Sequence, residues 1–469
     1  MFSLPRHATV TATAIVVAAT FLFAFLTSSL PSKFQDTLHS FRAAPAETRQ
    51  LHYLLPATAA NLNFCRLLLT STITGYPEPI LIGWEGHGKY DGAQSHLFKI
   101  SETLAYLRTL PASNDDDLVL LVDAYDVVML MPPEVMISRY FDLLETSNDR
   151  LRHEKIYGEH HGGDEISNTL FWGPDKTCWP GGADRAACWA VPEVPMHPKA
   201  FGPDTDSWMV LARPRWLNSG TLIGPVKHMR DMFNATMTMV EREYDSDYRD
   251  HNSDQYYFQD VWAEQEVERI RRRDGGIRPP VISHNDAGEE IRAKVPDIQK
   301  GQRTEYHISI DYSSSLFQTA AGYTEYLVWM TFNHTTDAPT TGPPRRRRLD
   351  EVTLPSDLEN CTPPFEVSET VDDSVRDGLP NKSWKDVLLG VNVVTQRVFP
   401  LLHYTGDKVR CPAVMPTTSL LDEGANEYRD SVTAGGLTCG FIRTQKLCLK
   451  QEIRYRKVSQ KTSLRPLAE

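Results

Sequence analysis

No two cysteines in the chain stand in a C-x-x-C spacing, so the usual ligand pairs of a structural zinc site are missing. Base is not in excess either. The 49 Lys and Arg face 61 Asp and Glu, a net charge of −12. General nucleic-acid binding needs a basic face, and this balance argues against it. No unit of 20–50 residues repeats, which excludes solenoids and propellers. What is present suits a packed globular core: 41% of the 469 residues are hydrophobic and 23% charged. That length holds one large α/β domain with additions, or two medium domains. The 31 prolines point to long ordered loops or a linker.

The N-terminus carries no formal charge between Arg6 and Lys33. Its apolar centre, Ala14 to Leu26, reaches with its flanks the roughly 20 residues that cross a bilayer as a helix. No small-x-small cleavage site follows Leu26, where the chain reads Thr27-Ser28-Ser29-Leu30-Pro31. An uncleaved signal-anchor is therefore expected over a cleaved signal peptide. Residues 1–33 read as cytoplasmic tip and anchor helix, and 34–50 as a polar stem. Asn234-Ala-Thr, Asn333-His-Thr, Asn360-Cys-Thr and Asn381-Lys-Ser are N-glycosylation sequons. Together they predict a single-pass type II protein of the Golgi or endoplasmic reticulum membrane with a lumenal body, secreted if the first segment is cleaved. Cys178 and Cys188 flank a Gly-rich loop that they can close. Cys411, Cys439 and Cys448 lie near the C-terminus, with Cys361 as a candidate fourth partner. Cys65, inside the apolar run Phe64 to Leu69, is expected to be the odd free thiol.

Beyond the stem, short apolar runs alternate with helical patterns. Pro79 to Trp84 and Asp117 to Asp123 read as buried strands. Leu97, Ile100, Leu104 and Leu107 mark an amphipathic helix, and Pro133 to Leu144 another with proline at its start. This order predicts an α/β fold with a mostly parallel sheet covered on both faces. Residues 157–208, rich in Gly, Pro, Trp and Asp, read as a long loop. Arg215 to Gly224 returns to a strand; Met229–Tyr244 and Asp254–Arg273 read as helices, and 304–333 as further strands. Residues 334–380 form an insertion whose low-complexity start, ending in Arg345–Arg348, cannot bury enough apolar surface to fold alone. The arginines are either a processing or acidic-partner site or a solvated linker run. A last strand, Arg397 to His403, precedes the cysteine-bearing tail, 411–469.

Chemistry concentrates at two strand ends. The apolar strand Leu118 to Val122 runs into Asp123, and Asp126 follows in the turn. Ligands of open α/β sheets bind beyond the carboxyl ends of strands. Two carboxylates there repel each other unless a cation or proton lies between them. A hard divalent ion with oxygen ligands, completed by a diphosphate, satisfies that pattern; two solvated turn carboxylates are the plain alternative. The second end is Leu401-Leu402-His403-Tyr-Thr-Gly406-Asp-Lys408. Here His403 is a candidate third ligand or a satisfied structural histidine. Gly406 lets backbone approach a phosphate, and Lys408 can neutralise one.

Five segments in order resemble the glycosyltransferase domain of procollagen lysyl hydroxylases. They are Asp123-Ala-Tyr-Asp126, Trp216-Leu-Asn-Ser-Gly-Thr-Leu-Ile-Gly224, Asp254-Gln255-Tyr-Tyr-Phe, Ile310-Asp-Tyr-Ser-Ser-Ser-Leu-Phe-Gln318 and His403 to Lys408. The similarity spans roughly residues 50–410. It implies a Rossmann-like GT-A fold with a mixed sheet, in which 51–333 is the catalytic domain and 381–410 the return strand with the metal and phosphate motif. It also implies manganese, or another divalent ion, held by Asp123, Asp126 and His403. The implied substrates are a UDP-sugar donor and a protein or glycan hydroxyl as acceptor. Tyr125 would stack on the uracil or ribose; Trp84, Lys99, Asn218, Ser219, Gly220 and Gln255 would lie at the donor. Asp254 would lie near the sugar and acceptor and is the candidate base. Lys408 falls one residue early against the family pattern, the acidic run before Gln255 is shortened to Asn252-Ser253-Asp254, and no collagen-hydroxylating domain follows.

Plainer roles exist for several of these residues. Asn218 to Gly220 suit a tight turn, Asp254-Gln255 a helix start, and Lys99 a helix surface. Trp172, Trp179 and Trp189 are either loop packing or a sugar-stacking platform. Two rival functions remain in view. His284-Asn-Asp286 with His334 or His403 has the pattern of a non-haem iron triad, which the α/β order disfavours. A degenerate transferase kept as a lumenal binding protein has no need of a complete metal triad.

Overall fold

The structure, a computed structural model, describes residues 49–86, 96–158, 165–285, 288–333, 352–363 and 383–406. The expected anchor helix, the arginine run, Asp286, His334, Lys408, the Asn381 sequon asparagine and the C-terminal tail lie outside them. Among the described residues no helix is long and apolar enough to cross a membrane.

The frame is a six-stranded sheet in the order β2-β1-β3-β6-β5-β9. Its strands are β1 (Leu51–Pro56), β2 (Ile80–Ile82), β3 (Leu118–Val122), β5 (Leu170–Asp175), β6 (Trp216–Pro225) and β9 (Ile308–Ile310). Every residue of β3 is apolar and buried, which requires cover on both sides. Val119 and Leu121 enter one core with Leu104, Phe233 and Phe258. These come from helices α2 (Phe98–Thr109), α4 (Val226–Glu243) and α5 (Asp254–Asp274). Leu118, Leu120 and Val122 enter the other core with Leu67 and Met136, supplied by α1 (Leu62–Ile73) and α3 (Pro133–His153). The Asn61 side chain caps α1 by accepting from the Phe64 amide at 2.9 Å.

The sheet is mixed. β1 pairs parallel with β2 and β3, and β5 with β9. β6, by contrast, runs antiparallel to both β3 and β5. Five of the six strands therefore run one way, as a mostly parallel sheet requires, and the reversal of β6 at the centre is the part that an alternating strand–helix order does not encode. The loop expected over 157–208 fails in part, because it contains β5, whose residues are all buried. The glycine and proline inside β5 disguise it. They sit where the β5–β6 register shifts, between Trp172 and Gly173, the kind of irregularity where a strand tolerates such residues.

Two smaller sheets attach the late chain. β14 (Leu401–His403) lies between β10 (Gln318–Thr319), parallel, and β4 (Val127–Met129), antiparallel. β11 (Leu327–Met330), β12 (Leu389–Asn392) and β13 (Arg397–Val398) form an antiparallel meander. Its core joins Val391 and Phe399 to Val128 and Leu402. A hairpin of β7 (Val281–His284) and β8 (Glu290–Arg292) lies on the surface.

Cys178 and Cys188 form the expected disulfide. Cys65 does not remain free: it is disulfide-bonded, and the free thiol among the described residues is Cys361. Apolar neighbours make Cys65 read as a small core residue rather than as half of a disulfide.

Candidate metal centre

β3 ends at Val122, so Asp123 is the first residue beyond the sheet edge. The turn then leads to β4, placing Asp126 one residue before that strand. β14 pairs with β4 so that His403 lies opposite Val127, and the Tyr404 amide donates to the Asp126 carbonyl at 2.7 Å. This register sets a residue 277 positions downstream beside the Asp turn. One ligand atom each from Asp123, Asp126 and His403 lies within 4.8 Å of the others. His403 Nε2 is 3.4 Å from Asp126 Oδ2 and 3.9 Å from Asp123 Oδ2.

Three observations fit this trio to a divalent cation. Two carboxylates and an imidazole are the donor set for a borderline or hard ion. His403 is buried, and among the described residues its Nδ1 has no partner and its Nε2 faces the two acids. Burial works to lower its pKa, but Asp126 and then Asp123 outweigh it and hold it above the ordinary value. The site thus draws positive charge. Finally, Gly220 of β6 forms the floor. A Cβ there would stand 2.0 Å from His403 Cε1 and 2.8 Å from Asp123 Oδ2, so only glycine lets the acid and the imidazole converge.

Lys99 of α2 is buried beneath the trio. Its ammonium lies 2.9 Å from Asp123 Oδ1 and 2.6 Å from Asp254 Oδ2, and donates to the Ser219 carbonyl at 3.0 Å. Burial opposes its charge, yet the two aspartates together raise its pKa. The surface-lysine reading is therefore wrong: the helical pattern shows which face is apolar, not that a lysine on it reaches an acid pair. Asp254 does start α5, but it is buried and turned toward Lys99.

Asn218 to Gly220 lie within β6 rather than in a turn. Asn218 Oδ1 accepts from the Gly220 amide at 3.0 Å, and Gln255 Oε1 accepts from the Ser219 amide at 3.1 Å. Asn218 Nδ2 also donates to Asp175 Oδ2 at 3.2 Å. Asp175, at the end of β5, was hidden by the loop reading of 157–208. Burial pushes its pKa up to about 6, against smaller opposing effects from Asn218 and His403. An acid closing the run Leu170-Phe-Trp was the available signal.

Tyr125, between the two metal-site acids, is pinned at its hydroxyl. It accepts from the Thr58 and Ala59 amides at 2.8 and 3.0 Å and donates to the Ala59 carbonyl at 2.9 Å. Trp84 belongs to the same neighbourhood: its ring lies 5.5 Å from Phe64, and the next residue, Glu85, donates its amide to the Thr58 carbonyl at 3.0 Å. Gly406 takes the left-handed φ of 86° three residues after His403.

Other candidates part from this group. Trp172 is wholly buried between sheet and helices, so it is packing. Trp179 is exposed, with its carbonyl held by Gln255 and Gln259. Trp189 lines a separate cleft. His284 sits on the exposed surface hairpin; among the described residues the only three-ligand group is Asp123, Asp126 and His403.

Fold and site define a mixed α/β protein with a carboxylate–imidazole centre at the carboxyl end of its central strand. No family model matches the chain, and no curated protein matches it significantly.

Proposed function

We propose that the chain is a metal-dependent glycosyltransferase of the GT-A kind, moving a hexose from a UDP-sugar to a protein or glycan hydroxyl in the secretory lumen. The observation that carries this reading is the convergence of Asp123, Asp126 and His403 from two strand ends 277 residues apart on a glycine floor. The five-segment resemblance gives the centre its reaction. A disulfide at Cys178–Cys188 suits an oxidising compartment, as do exposed sequon asparagines at 234 and 360. The N-terminal apolar segment would tether the body as a type II anchor.

Asp123, Asp126 and His403 would hold manganese. A bound divalent ion supplies Lewis-acid stabilisation to a departing diphosphate. The chain's own residues do the rest. Tyr125, fixed by three hydrogen bonds to the 58–59 backbone, presents a rigid ring for the base or ribose. Trp84 closes the same side. Lys99 balances the half-buried Asp123 and the buried Asp254, offsetting the repulsion between the two acids. Asn218 and Gln255 fix the β6 backbone facing the donor. In the transfer, the acceptor oxygen forms a bond to the anomeric carbon as the sugar–phosphate bond breaks. The hydroxyl proton passes to Asp254 in an inverting course, or to the leaving phosphate in a retaining one. Lys408, with Gly406, would meet the diphosphate.

The test is release of UDP from a panel of UDP-sugars by the purified lumenal body, with manganese and then with a chelator. Manganese-dependent release supports the reading. Absence of both UDP binding and release in every arm sinks it.

A further inference from the structure

A concavity of about 960 Å³ is lined by none of the three ligands of the metal centre. That volume falls in the usual range of ligand sites, about 300–1,000 Å³. Trp189, Trp208 and Trp216 line it, with Glu193, Asp206 and Arg215 between them. Trp216 stands opposite Asp175 at the start of β6. Gly220 of the metal floor lies four residues on, roughly 13 Å along the strand.

The cleft is built rather than incidental. Trp189 Nε1 donates to the Lys294 carbonyl at 3.2 Å and Trp216 Nε1 to the Cys188 carbonyl at 3.1 Å, which fixes both rings. Trp208 is 59% exposed, yet its loop is held from within. Buried Lys176 donates to the carbonyls of Val210 and Gly322 at 2.8 and 2.9 Å, with its Nζ 3.7 Å from the Phe201 ring centre; burial lowers its pKa to about 6. Arg213 donates from its backbone amide and Nε to the two Asp206 oxygens, each at 2.8 Å. An exposed tryptophan on a clamped loop presents a large rigid face at low entropic cost.

Both acids of the cleft are paired with arginines: Glu193 with Arg215 at 3.1 Å and Asp206 with Arg213 at 2.6 Å. Arg278 also lines the wall, as does Lys176, whose charge burial disfavours. With two acids set against Arg215 and Arg278, the wall offers planar donors and acceptors without a field of one sign, which suits neither a polyanion nor a polycation. Sugar rings combine an apolar C–H face with pairs of hydroxyls, and flat aromatic faces between bidentate polar groups match that chemistry.

We propose that this cleft binds a neutral oligosaccharide, the remote sugars of a glycan acceptor whose end reaches the metal centre. The word acceptor rests on the transferase reading; the saccharide site does not. Isothermal titration of the full chain with maltotetraose, mannotetraose and chitotetraose, and with a serine-rich peptide, tests it. At least one tetrasaccharide should bind. Trp208→Ala should weaken that binding at least tenfold and Trp208→Phe should restore part of it, with melting temperature and manganese–UDP affinity unchanged. The proposal is overturned if no tetrasaccharide binds, if only the peptide binds, or if Trp208→Ala stays within twofold of wild type. Saccharide binding without manganese–UDP binding would leave the cleft standing and remove the transferase; the reverse pattern would remove the cleft alone.

Discussion

Gly220 and Asp175 are the residues at which the site constrains the chain most directly. Gly220→Ala places a methyl 2.0 Å from the His403 ring, so the imidazole must move away from the acids. Manganese affinity should fall at least tenfold while the sheet stays formed, which calorimetric titration and a melting curve would show together. Asp123→Asn and His403→Ala should do the same by removing a charge and a nitrogen ligand. His403→Ala with full manganese-dependent activity would make His403 structural. Asp175 behaves oppositely for stability. Its pKa rises from 3.8 to about 6 on folding, so its stabilising share is complete below the unfolded value and is lost as pH rises through about 6. The ionised form then costs up to about 3 kcal/mol. Asp175→Asn, which keeps the bond to Asn218 available, should melt higher than wild type at pH 7.5. By the same linkage that gain should shrink by more than half at about pH 4.5. An equal gain at both values would mean that folding does not raise the Asp175 pKa.

At the scale of elements, the loop after β1 is organised by one phenol. Tyr125→Phe removes an acceptor from the Thr58 and Ala59 amides and a donor to the Ala59 carbonyl. On the transferase reading, UDP affinity should drop about tenfold with manganese affinity unchanged, because the three ligands keep their partners; a parallel loss of both would show that Tyr125 braces the metal turn instead. The long periodic elements were legible beforehand. The apolar run of β3 and the helical spacing of α2 are visible in the sequence, α4 and α5 read as helices, and the Asp turn follows from β3. What stayed hidden depends on distant partners. β5 looked like loop because its glycine and proline are accommodated by an irregularity in its pairing with β6. β1 and α1 lay unmarked because His52, Asn63 and Arg66 interrupt their apolar runs and leave neither a clean alternation nor an uninterrupted core run. Lys99 could be placed on a helix, but its contact with Asp254 depends on how α2 and α5 cross the sheet end. Likewise His403 could be suspected as a ligand, while its approach to Asp126 is decided by the β14–β4 register.

At the scale of the whole molecule, the proposed lumenal placement makes a prediction that folding sharpens. Asn234 is exposed on α4, and its Oδ1 accepts from Arg108 at 2.5 Å, which leaves Nδ2 available to carry a glycan. The sequon threonine, Thr236, is wholly buried and donates to the Met232 carbonyl at 2.9 Å. Its hydroxyl is therefore out of reach once α4 has formed, and modification at Asn234 must precede folding. Asn360 differs: it and Thr362 are both exposed at the end of the one-turn helix Ser356–Glu359. Expressed through the secretory pathway, the chain should carry glycans at both positions by peptide mass spectrometry. Asn234→Gln and Asn360→Gln should each raise gel mobility by one glycan. The folded, glycan-free protein, offered to an oligosaccharyltransferase in vitro, should be modified at Asn360 and not at Asn234. Modification of folded protein at Asn234 would show that α4 opens at Thr236. An unmodified chain that added protease degrades in sealed vesicles would place the body on the cytoplasmic side and remove the secretory assignment, while leaving the metal centre to be judged by manganese binding alone.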